Sequence, residues 1–275
     1  MIKSISKYID TTIAHNHLVI TKPNDNNFEF HTHDICEIIY LKSGDISAII
    51  GEKQYKVPPK SLVIFRANIP HRIRIDSPKL YERHNVLFND KERANGIFRK
   101  IPKDVDLINC SQNKTIELLF EKLDFYYNNF EGEDLKVLVT NIVEEILFNL
   151  YLNPNEDAID MMIEVHPAIK NAVEYINGHY TEEITIDEVS KRACITKSHL
   201  HHLFMEYMKI SPKKFINMKR LSKAQKLISA GQKPTAIYSE CGFTDYGTFF
   251  RNYTNHFGYT PSQKDEIATE RKIES

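Results

Sequence analysis

Two histidines and a carboxylate recur at short spacing near the N-terminus: His31-x-His33-x3-Glu37-x6-Gly44, with Pro70-His71 further on. On an extended strand, residues 31, 33 and 37 share one face. Two imidazoles and a carboxylate facing a barrel interior, plus an imidazole from another strand, form a donor set for Zn, Mn or Fe. The same groups also hydrogen-bond a small polar molecule. The candidate polar pocket is His31, His33, Glu37, Tyr40, His71 and Arg83; the candidate metal set is His31, His33, Glu37 and His71. A third reading makes the histidines structural. Arg72 and Arg74 alternate with Ile73 and Ile75, which turns them to solvent.

A second group of chemistry-bearing residues lies near the C-terminus, where a repeat positions it. Residues 198–204 (SHLHHLF) align with 247–253 (GTFFRNY), placing Leu200 on Phe249 and Phe204 on Tyr253. Each follows a short helix and a turn: 186–193, 194–196 and then 197–208; 235–240, 241–244 and then 245–257. Gly242 suits a sharp interhelical turn, and Thr196 and Asp245 suit N-caps. Between the pairs, 212–230 reads as one connecting helix ended by Gly231. With Leu200, Leu203 and Phe204 inward, the first helix presents Thr196, Lys197, Ser198, His201 and His202. With Phe249, Tyr253 and Phe257 inward, the second presents Thr244, Asp245, Tyr246, Thr248, Arg251 and Asn252. Arginine pairs bidentately with guanine, and asparagine with adenine, in the major groove. Lys213, Lys214, Lys219, Arg220 and Lys223 suit phosphate contact; Arg220 has a structural alternative.

Other elements must hold these sets. Short β-rich runs at 17–20, 36–41, 46–50, 54–57, 61–65, 71–75 and 85–88 are separated by turn signals, as in a sandwich or barrel. Residues 1–16 are expected to be an arm over the pocket. Helical periodicity begins near 113, with stripes on 115–130 and 134–152. The second carries Leu135, Leu138, Val139, Ile142, Ile146 and Leu150, and with Phe148 and Tyr151 it is expected to build a homodimer. Residues 153–166 read as a linker. The expected division is 1–110 for effector sensing, 111–166 for dimerisation and linker, 167–265 for DNA binding and 266–275 as a polar tail.

The C-terminal segment resembles the DNA-binding domain of the AraC/XylS family. The resemblance rests on Ile237, Gly242-Phe243, Asp245, Phe249, Arg251, Phe257-Gly258 and Pro261, with Leu200, Leu203-Phe204, Ser211-Pro212, Arg220-Leu221, Ala224 and Leu227. Lys209 stands where the family usually has Gly. The N-terminal segment resembles a cupin, with a degenerate second motif: Lys60 and Asn68 replace glycines and Arg66 replaces a proline. The resemblance implies a cupin-like sensor and a double helix-turn-helix, a small effector that is often a sugar, double-stranded DNA and RNA polymerase as partners, and more often an activator than a repressor. Alternatives are a metal-dependent cupin enzyme and a regulator without effector. No cofactor is implied beyond the divalent metal.

Composition narrows the field. The chain has 275 residues, and hydrophobic residues at 41% with charged ones at 27% fit a folded globular chain. Four scattered cysteines exclude a disulfide scaffold and a Cys-only zinc site. The N-terminus lacks a signal-peptide core and no apolar run spans a bilayer, so a cytoplasmic protein without membrane contact is expected. Residues 1–167 carry 20 basic and 25 acidic side chains, whereas 168–275 carry 16 and 12. The C-terminal part is therefore the better partner for a polyanion. The fold class is α+β in two domains: a β-barrel or jelly roll with a helical segment, then an all-α double helix-turn-helix.

Overall fold

The computed structural model describes residues 2–90, 94–152 and 164–263. The N-terminal half is an antiparallel two-sheet β domain. Its strands are β1 (Ile2–Ile9), β2 (Ile13–Ile20), β3 (Cys36–Ser43), β4 (Ile46–Ile50), β5 (Lys53–Val57), β6 (Ser61–Phe65), β7 (His71–Ile75), β8 (Tyr81–Phe88) and β9 (Leu107–Asn109). The larger sheet runs β1-β2-β8-β3-β6-β9 and the smaller β5-β4-β7. Alternation on β3 sends Ile39 and Leu41 into the space between the sheets, with Ile46, Val63, Phe65, Ile73 and Tyr81. Ile38 and Tyr40 face the other way, under two helices, with Val86, Phe88 and Phe120.

Residues 1–16 do not form the expected arm. β1 pairs with β2 from Ile2↔Ile20 to Ile9↔Ala14. The turn is set by Asp10, whose carboxylate accepts from the amides of Thr12 (2.6 Å) and Ile13 (2.8 Å). Ser6 and Tyr8 are buried, which anchors the strand.

Helices α1 (Lys114–Asn129) and α2 (Gly132–Leu152) cover the outer face of the larger sheet. The stripe expected to dimerise is largely consumed here: Leu135, Val139, Ile142, Ile146 and Leu150 are buried against the β domain and α1. The exposed apolar residues are instead Val137, Phe148, Tyr151 and Leu152 on α2, with Leu118, Phe125 and Tyr127 on α1. Most of the expected linker, 153–163, and the expected polar tail lie outside the described residues.

The helical half comprises α3 (Pro167–His179), α4 (Ile186–Arg192), α5 (Lys197–Tyr207), α6 (Pro212–Ser229), α7 (Pro234–Ile237) and α8 (Tyr246–Phe257). Thr196 and Asp245 cap α5 and α8 as expected, accepting from His199 N (3.2 Å) and Thr248 N (2.7 Å). Gly242 has φ 89, and a Cβ there would lie 2.8 Å from Arg220 Nε and 2.9 Å from the Tyr180 carbonyl, so the turn admits only glycine. Two cores hold the units: Leu200, Phe204 and Phe215 with α3 and α4, and Phe249, Tyr253 and Phe257 with α6. Among the described residues, no helix is long and apolar enough to cross a membrane.

Candidate functional site

His31, His33, Glu37 and His71 converge as expected: one donor atom from each lies within 4.8 Å of the others. His31 precedes β3 and bridges to His71, the first residue of β7. Each ring is oriented through its Nδ1. His31 bonds the Glu29 carbonyl (2.9 Å), His33 that of Ile35 (2.8 Å) and His71 that of Ile69 (2.7 Å). With Nδ1 given to a carbonyl, Nε2 is the ring atom left for a second partner. The Nε2 atoms of His33 and His71 both face Glu37 Oε2, at 3.0 and 3.1 Å. Burial alone would raise the Glu37 carboxyl, but hydrogen bonds from His33 and His71 more than offset it and hold it well below the usual carboxylate range. Burial pushes His71 below its ordinary value. Imidazoles oriented through Nδ1, with two Nε2 atoms aimed at one carboxylate, fit a divalent cation, which would take the place of the Nε2 protons.

Arg83 stands on the same inner face, its Nη1 3.8 Å from Glu37 Oε1. Tyr40 does not join this group: it lies on the opposite face of β3, its ring stacked on Phe120 at 4.8 Å. Period-2 alternation from Glu37 puts residue 39 inward and residue 40 outward. Two inner-face residues were not anticipated, Tyr81 and Asn85. Tyr81 OH, Arg83 Nε and Asn85 Oδ1 are buried without a hydrogen-bond partner. They sit at i, i+2 and i+4 of β8, directed between the sheets with Leu41 and Ile39 opposite. Three orphaned polar groups on one face call for a ligand or water.

The residues flanking these side chains grip the helical half. Phe30, beside His31, is buried in the first helix-turn-helix core, its ring 5.7 Å from Phe215 and its amide 3.2 Å from the Met208 carbonyl. Asp34, beside His33, accepts from Gln225 Nε2 (2.9 Å). Arg72, beside His71, pairs with Asp25 and donates to the Tyr207 carbonyl (3.2 Å). Arg72 therefore does not face solvent. Alternation turned it outward correctly, but the helical half covers that face and buries it completely. Arg74 is partly exposed and bonds Asp76 (2.7 Å).

On the helices, Lys197, Ser198, His201 and His202 of α5 are exposed, as are Thr244 and Arg251 around α8. Tyr246, Thr248 and Asn252 are half-buried, and Asn252 Nδ2 donates to the Thr248 carbonyl (2.7 Å). Several expected DNA contacts are otherwise engaged: Lys197 pairs with Asp187 (3.0 Å) and Lys223 with Glu240 (3.1 Å). The Asp245 carboxylate is the α8 cap, and hydrogen bonds from Thr248 lower it below the ordinary aspartate value. Arg220 donates to the carbonyls of Tyr180 (2.6 Å) and Glu182 (2.9 Å), bracing α6 on the α3–α4 turn. Lys214 pairs with Glu29 of the β domain (2.8 Å). Lys219 lies over the Tyr180 ring at 5.7 Å, while Lys213 is exposed.

Two helix-turn-helix units on one connecting helix, behind a β domain with buried polar groups between its sheets, define a transcription regulator with a ligand-binding domain. Residues 18–104 match the AraC-like ligand binding domain, and residues 189–266 match a helix-turn-helix domain. The chain belongs to the AraC family of transcription regulators. It is 26% identical over 264 residues to the lactose operon transcription activator of Staphylococcus xylosus, covering 94% of this chain and 92% of that one. It is 23% identical over 254 residues to the HTH-type transcriptional activator RhaS of Shigella sonnei, covering 86% of each. Among solved structures, an apo ToxT variant from Vibrio cholerae aligns over 94% of this chain and 99% of that one, at 15% identity and a TM-score of 0.40.

Proposed function

We propose that this chain is a cytoplasmic activator that responds to a sugar-like, polyhydroxylated effector bound between the two sheets. The carrying observation is the orphaned trio Tyr81, Arg83 and Asn85 beside Glu37. Carboxylate, guanidinium, amide and phenol together match a ligand rich in hydroxyls. Names of relatives, a lactose operon activator and RhaS, support the sugar class.

The signal then has a short route. The residues facing the effector alternate along the chain with those gripping α5 and α6, so a ligand that draws His31, His33 or His71 inward shifts Phe30, Asp34 or Arg72. It thereby changes the docking equilibrium by its differential affinity for the two arrangements. In the docked form, Glu29 and Asp25 hold Lys214 and Lys209. Undocking frees both for DNA phosphate. Arg251 and Asn252 would read bases from α8, with Lys197, Ser198, His201 and His202 on α5, and with Thr244, Tyr246, Thr248 and Lys213 nearby. The working division is 1–110, 111–166 and 167–265. The exposed faces of α1 and α2 would form a homodimer, and activation implies contact with RNA polymerase.

The backbone-oriented histidines favour a second occupant of the same interior. His31, His33, Glu37 and His71 would hold a divalent ion, which would supply a Lewis-acidic anchor for an effector hydroxyl. The test is calorimetric titration of the full-length protein with a panel of mono- and disaccharides, with and without chelator. One sugar should bind, and Arg83→Ala and Asn85→Ala should each weaken it about tenfold or more, as loss of a buried charged or polar contact does. Equal binding by both variants refutes the site.

A further inference from the structure

A second group of histidines lies on the other side of the larger sheet. His15 and His17 of β2 and His84 of β8 are buried on its outer face, under α1. Asp124 of α1 closes the group from above. Donor atoms of His15, His84 and Asp124 all lie within 4.8 Å of one another. We propose that His15, His84 and Asp124 form a metal site for Zn2+ that clamps α1 to the outer face of the sheet.

The spacing suits the ion. His15 Nε2 and His84 Nδ1 are 3.2 Å apart. Two donors at roughly 2.0–2.1 Å on a tetrahedral ion stand about 3.3 Å from each other. Two imidazoles and one carboxylate select zinc or a neighbouring transition ion over Mg2+ or Ca2+. The surroundings are built to orient the ligands. Ser6 Oγ donates to Asp124 Oδ1 (2.6 Å), and His17 Nδ1 holds Oδ2 (2.7 Å). The other nitrogen of His17 meets Glu82 (3.1 Å), and its ring stacks on His84 with centroids 3.9 Å apart. Outer groups of this kind fix ligand orientation at metal sites. Buried beside Phe120 and Tyr40, these imidazoles carry a desolvation cost that apolar side chains would avoid. A bound ion offsets it. The ligands come from positions 15, 84 and 124, so one ion ties three distant segments together.

The experiment is Zn2+ titration of chelator-stripped full-length protein, with Co2+ as the spectroscopic probe. Wild type, His84→Gln, Asp124→Asn, His17→Gln and Glu37→Gln are compared. His84→Gln and Asp124→Asn should each lose one equivalent of tightly bound Zn2+ and its visible Co2+ bands. His17→Gln should keep the equivalent with roughly 10–100-fold weaker affinity. Glu37→Gln removes a ligand of the inner donor set and should still keep the equivalent that His84→Gln and Asp124→Asn lose, whether or not the inner set holds a further one. Zn2+ should slow amide exchange in α1 of the wild type and not of Asp124→Asn. Asp124→Asn is isosteric, and its circular dichroism in chelator serves as the folding control. Zn2+ binding unaffected by both His84→Gln and Asp124→Asn overturns the site, whatever Glu37→Gln does to an equivalent held by the inner donor set. Unchanged α1 exchange on Zn2+ binding overturns the clamp.

Discussion

Phe30→Ala probes the joint between the two halves. The Phe30 ring is 1% exposed and lies among residues of the first helix-turn-helix, although its backbone belongs to the β domain. Removing a fully buried Phe costs about 3–5 kcal/mol. Because the ring is surrounded by the other half, that loss falls on docking rather than on either domain's own core. A loss of about 3 kcal/mol weakens docking by roughly 100-fold. Scanning calorimetry of the full-length protein should then resolve the wild-type transition into two, for the β and helical halves. Lys214, released from Glu29, becomes available to DNA, so operator binding without effector should tighten and the response to effector should shrink. Phe30→Leu, which keeps most of the volume, should behave nearly as wild type. A Phe30→Ala melt that stays single and shifts by less than about 1 kcal/mol would refute the argument. So would an unchanged effector dependence.

Arg251→Ala should cost about 1–3 kcal/mol on the native operator and relax one base position. Competition binding checks this, and an equal loss on random DNA would assign Arg251 to the phosphates. Gly242→Ala should cost about 3 kcal/mol in thermal unfolding, from a positive φ plus a Cβ within 3 Å of Arg220 and the Tyr180 carbonyl. Native protein should show one reactive thiol to a maleimide, Cys194. Burial pushes the thiols of Cys36 and Cys110 up to about 12 and that of Cys241 up to about 11. In chelator, stability should fall as pH drops from about 6.5 toward 4. Burial lowers His15 to about 4, so between those values the unfolded chain takes up the proton and the folded one does not. The stabilisation is complete above pH 6.5, and about 3 kcal/mol of it is lost by pH 4. His15→Gln should make that slope shallower in urea titrations, with His31, His71 and His84, also lowered by burial, carrying the rest.

The sequence carried these helix starts well because caps are local: Thr196 and Asp245 each accept from an amide three residues on. It also carried the turns where glycine was replaced. Lys60, Asn68 and Lys209 adopt φ of 61, 63 and 57, so the backbone shape persists without the glycine. The inner site was half legible. Spacing reads out His31, His33 and Glu37, with His71 on another strand, but a strand read from residue 85 leaves Tyr81 outside it and too few positions to show which face Asn85 takes, whereas β8 begins at Tyr81. Extending period-2 back through Arg83 reaches them. Alternation names a face and never says what covers it, which is why buried Arg72 was sent to solvent. The histidines of β2 and β8 went unseen for a related reason: positions 15, 17 and 84 meet only through the β2–β8 register.

On the two segments 30–34 and 71–72, neighbouring residues serve opposite sides of the backbone: 33 and 71 look inward, with 31 beside them at the exposed rim of the group, while 30, 34 and 72 hold the helical half. If the proposed function holds, recognition and output are written on alternate letters of the same stretch. Odd positions can drift toward a new chemical signal while even positions keep the response intact. This is a layout suited to rapid divergence of effector preference, and a starting point for building biosensors by randomising 31, 33 and 71 alone.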